Sequence, residues 1–260
     1  MEKIILIDAS PRVGNSSQVT DYLSEHLNGQ YEIDRLNLRD FDVNNCVGCC
    51  LCLTTGSSAC PFSDDDAHRV LKQMLAVKGV IWIVPNYSLN IPGKMKTLFD
   101  RLAFVFHRPR LFGKVSWPIV VQGVYGGGKV AKYINEVMSF WGAAPVTGTV
   151  VTGGVDPHHS HDLSSANIQK IQKGLAGFHA AMEKTTLPSP SLMQMAIFRA
   201  TRTAMIHSTD VLQPDKEYYA KNGWSRSPYY YPCRINPISQ IAGNVVDSLI
   251  RKQIKNPREQ

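Results

Sequence analysis

Short apolar runs alternate along the chain with longer segments in which apolar positions recur at helical spacing. The first run, residues 3–9, has an unbroken apolar, mainly β-branched stretch at positions 4–7, which is typical of a central parallel strand covered on both faces. Runs of strand type follow at residues 31–38, 79–84, 117–122 and 145–152. Helical patterns lie at residues 19–27, 63–77, from about 92, 129–141 and 164–184. Strands that alternate five times with helices predict a three-layer α/β sandwich around a five-stranded parallel sheet.

The pattern changes beyond residue 184. A Leu-Pro-Ser-Pro linker at residues 187–190 precedes a segment that mixes Met, Phe and Ile with Arg199 and Arg202, and an aromatic, proline-rich stretch follows. A final helix is predicted over residues 238–254. We therefore expect a domain over residues 1–184 and a partly helical extension over 185–260, which packs on its own domain or on a second subunit.

Composition and charge limit the classes of function. The chain is 43% hydrophobic and 19% charged, as in ordinary soluble proteins. No run approaches the about 18 apolar residues that a membrane-spanning helix needs. Only four apolar residues follow Met1-Glu-Lys before Asp8, so no signal peptide is predicted and we expect a cytoplasmic protein.

The positive charge is concentrated in the extension. Residues 185–260 hold 10 Lys and Arg against 5 Asp and Glu, a balance of +5, which leaves +2 of the total of +7 for residues 1–184. The nearly neutral body argues against a general nucleic-acid binder. The basic extension is a candidate for contact with an acidic partner, an anionic membrane surface or a neighbouring subunit.

Five of the six cysteines fall within residues 46–61. Cys46, Cys49, Cys52 and Cys60 have the spacing Cys-x2-Cys-x2-Cys-x7-Cys, in which one loop can wrap a corner of an iron–sulfur cube while the longer gap brings the fourth thiol round. Cys50 is then a spare. The spacing predicts one [4Fe-4S] cluster.

Three other interpretations of this segment stay open. Zinc also takes four cysteines, but usually as two separated pairs. Disulfides are disfavoured in a cytosolic chain, where thiols stay reduced. The loop could also hold no metal.

An anion site is predicted directly after the first strand. The segment Ser10-Pro-Arg-Val-Gly-Asn-Ser-Ser leads into a helix, so free backbone N–H groups and the positive end of the helix dipole meet the hydroxyls of Ser10, Ser16 and Ser17. Arg12 can add charge. The alternative is that Asn15, Ser16 and Ser17 only cap the helix. Because no Walker or Gly-x-Gly-x-x-Gly motif is present, a single phosphate fits better than a nucleoside triphosphate or a dinucleotide.

Two further loops follow predicted strands and face the same crevice. After the strand at 79–84, Tyr87 and Asn90 offer a flat face and polar atoms to an aromatic ligand, unless Tyr87 only covers the sheet edge. After the strand at 117–122, the glycines of residues 126–128 let the backbone approach a planar ligand, or form a flexible turn. Ser63 is predicted to cap a helix that begins with three aspartates, and the histidines of residues 157–161 are interpreted as a solvated loop.

These motifs, in this order, resemble the flavodoxin-like family of NAD(P)H-dependent FMN reductases, and specifically its iron–sulfur flavoprotein branch, over about residues 1–184. The loop from Ser10 resembles the family's phosphate loop, with Ser16 and Ser17 in the place of an Asn-Thr pair. The segment Pro85-Asn-Tyr-Ser with Ile-Pro-Gly-Lys-Met-Lys and Asp100-Arg101 is similar to the loop and helix beside the flavin ring. Cys46, Cys49, Cys52 and Cys60, followed by Asp64-Asp65, resemble the branch's cluster motif.

The resemblance implies FMN as the cofactor, NAD(P)H as a possible co-substrate, a strand order of 2-1-3-4-5, and homodimers or homotetramers. The FMN-binding residues that it implies are Ser10, Arg12, Asn15, Ser16, Ser17, Pro85, Asn86, Tyr87, Ser88, Asn90, Gly123, Tyr125, Gly126 and Gly127.

FMN does the chemistry in this interpretation, so no side chain is expected to act as acid, base or nucleophile. The predicted function is electron transfer between a reduced donor, either NAD(P)H or ferredoxin, and a small-molecule or protein acceptor through the cluster. The alternatives are a non-catalytic redox carrier or sensor, and a metal-free NAD(P)H-dependent quinone or flavin reductase.

Overall fold

The computed structural model describes residues 1–153, 163–207 and 212–255. The chain forms two compact units, one of Met1–Val47 with Asp64–Lys184 and one of Gly48–Ser63 with Thr185–Gln260. Most of the cysteine segment is thus grouped with the C-terminal extension. The histidines of residues 157–161 lie outside the described residues.

The first unit is built on a parallel β-sheet. Its strands are β1 (Lys3–Asp8), β2 (Glu32–Asn37), β3 (Gly79–Pro85), β4 (Val115–Gln122), β5 (Ala144–Pro145) and β6 (Thr149–Thr152). The order is β2-β1-β3-β4-β5, with β6 also paired to β4, and every pairing is parallel. The predicted α/β fold and strand order are confirmed.

The predicted fifth strand over residues 145–152 is divided into two short strands. β5 pairs with Val115 and Ser116, and β6 pairs with β4 from Ile119 onward. Pro118, which has no amide N–H to donate, lies opposite the gap. At Gly148, within the gap, an added Cβ would lie 2.6 Å from the Cβ of Ala131.

The helices vary from single turns to five turns. In chain order they are α1 (Asn15–Leu27), α2 (Leu51–Thr54), α3 (Ala67–Leu75), α4 (Gly93–Arg101), α5 (Phe104–His107), α6 (Gly127–Phe140), α7 (Ser165–Met182), α8 (Leu192–His207), α9 (Gln213–Lys221) and α10 (Pro237–Lys255).

The central strands β1, β3 and β4 are buried on both faces, as their apolar runs predict. On one face, Leu23 of α1 and Phe178 of α7 share a core with Ile4 and Leu6 of β1. On the other face, Phe99 of α4 packs edge-on against Trp82 of β3 and against Trp141, at centroid distances of 5.6 and 5.3 Å. Alternate residues of each strand therefore reach opposite layers of helices.

The second unit is helical and contains α2, α8, α9 and α10. Helices α8 and α10 pack against each other, and α2 packs against α9. An aromatic cluster forms its core, in which Trp224 and Tyr230 meet edge to face at 4.7 Å and Phe198 meets Tyr230 at 4.5 Å. The prediction of a helical C-terminal extension is confirmed.

Candidate functional site

Three of the predicted ligand loops lie at one edge of the sheet. β1, β3 and β4 are neighbours and run parallel, so the loops that follow them leave from the same edge. The next two strands in the chain pair on opposite sides of β1, β2 on one side and β3 on the other. The loops after β1 and β3 therefore flank the switch point at which open α/β sheets bind ligands.

The loop after β1 is ordered by a buried carboxylate that sequence reasoning did not single out. Asp8 is fully buried and accepts hydrogen bonds from the backbone N–H of Ser10 at 2.9 Å and the hydroxyl of Ser17 at 3.1 Å. Burial raises the pKa of Asp8, although these bonds and Arg39, 3.5 Å away, favour its charged form. Asp8 was missed because a polar residue at a strand end ordinarily marks only the end of the strand.

Two of the predicted phosphate-binding hydroxyls are engaged inside this loop. Ser17 donates to Asp8, and Ser10 donates to the carbonyl of Arg12 at 2.7 Å. α1 begins at Asn15, so Asn15, Ser16 and Ser17 occupy its first turn, where N–H groups have no partner within the helix. The side chain of Asn15 lies against Gly153, where an added Cβ would be 2.5 Å from its Nδ2 atom.

The loop after β3 forms a tight turn that starts beyond Pro85. The backbones of Tyr87 and Asn90 exchange two hydrogen bonds of 2.9 Å. Between them, Ser88 and Leu89 have φ values of 50° and 63°, a left-handed conformation that is unfavourable for residues other than glycine. Such strain is concentrated at functional sites. The turn leaves Tyr87 and Leu89 exposed.

The loop after β4 is held at both ends by Gln122. Its side chain accepts a hydrogen bond from the backbone N–H of Gly127 at 2.8 Å and donates to the carbonyl of Val124 at 3.1 Å. Gly123 begins the loop, and Gly126 has a φ of 93°, which favours glycine. The loop presents the exposed side chain of Tyr125.

Asn86 joins the last two loops. Its Nδ2 atom donates to the carbonyl of Tyr125 at 2.8 Å, while its Oδ1 atom is buried and has no hydrogen-bond partner in the described part of the chain. Leu89 lies directly over Gly126, since an added Cβ there would be 2.5 Å from Leu89 Cδ2. The predicted residues of these loops are thus brought together, with the buried Oδ1 acceptor of Asn86 between them.

A cavity of about 200 Å³ adjoins this edge of the sheet, and its polar lining includes Asn15, Gln18, Thr152 and Asn167. Asn167 binds the backbone of Thr152 through both amide atoms, at 3.1 and 2.8 Å. Asn167 lies in the first turn of α7, where its spacing is that of an ordinary helix residue, so the sequence carried no signal for it.

The cysteine segment combines exposed thiols with left-handed backbone positions. All six cysteines lie outside disulfides, with Cys46 and Cys49 exposed and Cys52 and Cys60 partly exposed. Gly48 and Cys50 have φ values of 68° and 58°, and the Cys50 thiol is 3.5 Å from the Gly48 carbonyl oxygen. Four thiols suit an iron–sulfur cluster chemically. Within the described residues, however, no three His, Cys, Asp or Glu side chains are gathered closely enough to hold a metal ion.

The predicted helix after the cysteines begins later than expected, and the prediction that Ser63 caps it is wrong. α3 starts at Ala67 with Asp66 in the N-cap position, and Asp65 accepts a hydrogen bond from the Ala67 N–H at 3.0 Å. Asp65 also accepts from Arg101 and from the backbone of Asn44 at 2.9 Å. Burial opposes ionisation of Asp65, but these bonds hold its pKa below the ordinary value.

The sequence profile of the family described as NADPH-dependent FMN reductase matches residues 2–156. The chain belongs to this family. The family is one of oxidoreductases, as predicted, and the match spans the three ligand loops and the cysteine segment.

Iron–sulfur flavoproteins are among the relatives of this family member, which confirms the predicted branch. One from Archaeoglobus fulgidus is 31% identical over 85% of this chain and 99% of its own length. One from Methanosarcina thermophila is 28% identical over 70% of this chain and 97% of its own length. A quinone reductase from Escherichia coli is 23% identical over 46% of this chain and 66% of its own length.

Solved structures share the fold of this FMN reductase family member. The NADH:FMN oxidoreductase EMOB in its apo form has a TM-score of 0.53 and 16% identity over 71% of this chain and 91% of its own. RosB with a bound riboflavin-phosphate derivative has a TM-score of 0.56 and 12% identity over 91% of this chain and 92% of its own. In the described ranges, no helix has the length and apolar character to cross a membrane.

Proposed function

We propose that this chain is an FMN-dependent oxidoreductase that moves electrons between a reduced donor, NAD(P)H or ferredoxin, and an acceptor. Residues 1–184 would form its FMN-binding domain. The observation that carries the proposal is the buried Oδ1 atom of Asn86, which has no partner in the described residues and lies between the two loops expected to flank the flavin ring. Such an acceptor is costly unless a ligand N–H meets it.

Each loop would have its own part in holding FMN. The first turn of α1, with Asn15, Ser16 and Ser17, would bind the phosphate through backbone N–H groups and the helix dipole, aided by Ser10 and Arg12. The loop of Pro85, Asn86, Tyr87, Ser88 and Asn90 and the loop of Gly123, Tyr125, Gly126 and Gly127 would orient the ring. Their exposed tyrosines would exclude water from it. When bound, FMN supplies hydride acceptance and electron release, so no side chain need act as acid or base.

We also propose a [4Fe-4S] cluster on Cys46, Cys49, Cys52 and Cys60. Support comes from the spacing of these residues, from their thiol state, and from the relatives described as iron–sulfur flavoproteins. The contact between the Cys50 thiol and the Gly48 carbonyl fits a residue that is not a ligand.

The test is an absorbance spectrum of the full chain purified without oxygen, together with iron and sulfide analysis. Flavin bands with a broad shoulder and about four irons per chain are expected. Addition of NADPH or NADH should then bleach the flavin. A purified chain that neither contains FMN nor binds it when FMN is added would contradict the proposal.

Two results would redirect the assignment without removing the flavin. Flavin without iron would favour the metal-free quinone or flavin reductase, which the quinone reductase among the relatives makes a second candidate. Flavin reduced by ferredoxin but not by NAD(P)H would favour a carrier. Sedimentation of the holoprotein would test the predicted homodimer or homotetramer.

A further inference from the structure

α10 carries a stripe of apolar side chains that its own unit leaves uncovered. Ile238, Ile241, Val245 and Leu249 are each more than half exposed. Their spacing of three and four residues places them on one side of the helix. Single exposed apolar residues are ordinary, whereas a continuous row marks an interaction surface.

An open cleft of about 490 Å³ lies beside this stripe, between α8 and α10, and it is lined by Arg199, Arg202, Asp247, Arg251 and Lys252, with Asn244 and Ser248. Four basic residues against one acidic residue give the cleft a net charge of +3. The stripe and the cleft adjoin, because Ser248 and Lys252 follow Val245 and Leu249 by three residues.

The carboxylate of Asp247 in the cleft already accepts several hydrogen bonds. Asp247 accepts from Nε of Arg199 and from Nη2 of Arg202, each at 2.8 Å, and from the hydroxyl of Thr203 at 2.5 Å. Both arginines are at least nine-tenths buried, and Nε of Arg202 has no hydrogen-bond partner within the described ranges. Burial lowers the pKa of Arg202, and the adjacent Arg199 lowers it further. The cleft thus holds buried positive charge that an anion would stabilise.

We propose that the C-terminal unit binds the surface of an anionic phospholipid membrane, with a headgroup phosphate in the cleft and the apolar stripe of α10 at the boundary between headgroups and acyl chains. A soluble anion would satisfy the cleft but leave the stripe in water. A second copy docked through the stripe by two-fold symmetry would bring two clefts of like charge to one interface. The membrane surface complements both features.

The experiment is co-sedimentation of the full chain with vesicles of phosphatidylcholine alone and of phosphatidylcholine mixed with phosphatidylglycerol. Binding is expected only to the anionic vesicles. Arg251→Glu with Lys252→Glu should lower the partition coefficient at least about tenfold, and so should Ile241→Glu with Val245→Glu. Lys221→Glu with Arg226→Glu, an equal change of charge at exposed residues of the same unit, should have a much smaller effect.

Circular dichroism of each variant separates loss of binding from loss of folding. The four substituted positions of the two test variants are exposed, so a charged side chain there does not disturb the packing. The proposal is overturned if the wild-type chain does not bind anionic vesicles, or if folded test variants bind as the wild type does. If the wild-type chain does not bind vesicles and a titration shows that inorganic phosphate or pyrophosphate binds the cleft, that result would assign a soluble ligand to the cleft instead of a membrane. If the wild-type chain does not bind vesicles and the Ile241→Glu, Val245→Glu variant sediments with a lower mass than the wild type, the stripe is assigned to contact with a second copy.

Discussion

Arg101 and Asp65 form an ion pair in which both side chains are almost fully buried, with exposed fractions of 2% and 3%. Both residues also bind Asn44, Arg101 through the Asn44 carbonyl at 3.2 Å and Asp65 through its N–H at 2.9 Å. One pair therefore fixes the residues just before and just after the cysteine segment to the end of α4.

We expect Asp65→Asn to destabilise the protein by roughly 3–5 kcal/mol, because it removes the negative charge from a buried ion pair with Arg101. The matched control is Asp100→Asn, which breaks the exposed pair of Asp100 with Lys96 on the same helix. That change should cost about 0–1 kcal/mol. Urea unfolding followed by tryptophan fluorescence measures both. Equal losses in the two variants would show that the buried pair is not a special determinant of stability.

The pH dependence of stability should contain two opposite contributions. The folded state lowers the pKa of Asp65, so the stability from this residue is present above its ordinary value of 3.8 and is lost as the pH falls through the lower folded value. The folded state raises the pKa of Asp8 above 3.8, so Asp8 makes stability decrease as the pH rises from that value through its folded pKa.

Asp8→Asn should therefore reduce the loss of stability on raising the pH from the ordinary carboxyl pKa towards neutrality. Its amide oxygen can still accept from the N–H of Ser10. Asp40→Asn is the control, because Asp40 also lies within 3.8 Å of Arg39 but is exposed. Unfolding free energies across this range are the measurement, and a profile of Asp8→Asn parallel to that of the wild type would refute the raised pKa.

Gly126→Ala should weaken FMN binding at least about tenfold, since it combines a positive φ with a clash against Leu89. Gly128→Ala is the control: its added Cβ meets nothing within 4 Å, and its φ lies outside the range that requires glycine. Fluorescence titration of the apoprotein with FMN compares the two. If both alanine variants bind like the wild type, the loop after β4 does not hold the flavin as proposed.

Substitution of the cysteines should separate ligands from the spare thiol. Cys52→Ser should lose most of the bound iron and sulfide, while Cys50→Ser should retain them. Both variants should keep FMN, whose proposed binding residues lie elsewhere. Anaerobic iron and sulfide analysis with the flavin spectrum provides the measurement. Loss of iron from Cys50→Ser alone would require a different ligand set.

The main elements of the fold followed from local patterns. The run at residues 3–9 predicted a strand covered on both faces, and Ile4, Ile5, Leu6 and Ile7 are indeed all fully buried. The division of the fifth strand could not be predicted, since it depends on Pro118 lying opposite the gap, which only the pairing register reveals. Ser63 is not the cap because α3 begins only at Ala67, and Asp65 just before it is held by Arg101, 36 residues away in the sequence.

The candidate site, like the fold, could be predicted from the sequence only in part. Its loops could be predicted because they directly follow strands. The burial of Asp8, the left-handed backbone of Leu89 and the lack of a partner for Asn86 Oδ1 among the described residues could not be predicted, because each results from tertiary packing around a residue type that is ordinary in loops.

The grouping of residues 48–63 with the C-terminal unit has a practical consequence for expression. The linker at 187–190 suggests that a shortened protein should end at residue 184. Such a truncation would delete α9 and leave the short helix α2 without the helix that it packs against. If the truncated protein lacked iron, that result would not show whether the cysteines bind a cluster in the full chain. Only the uncut chain can reveal what they bind.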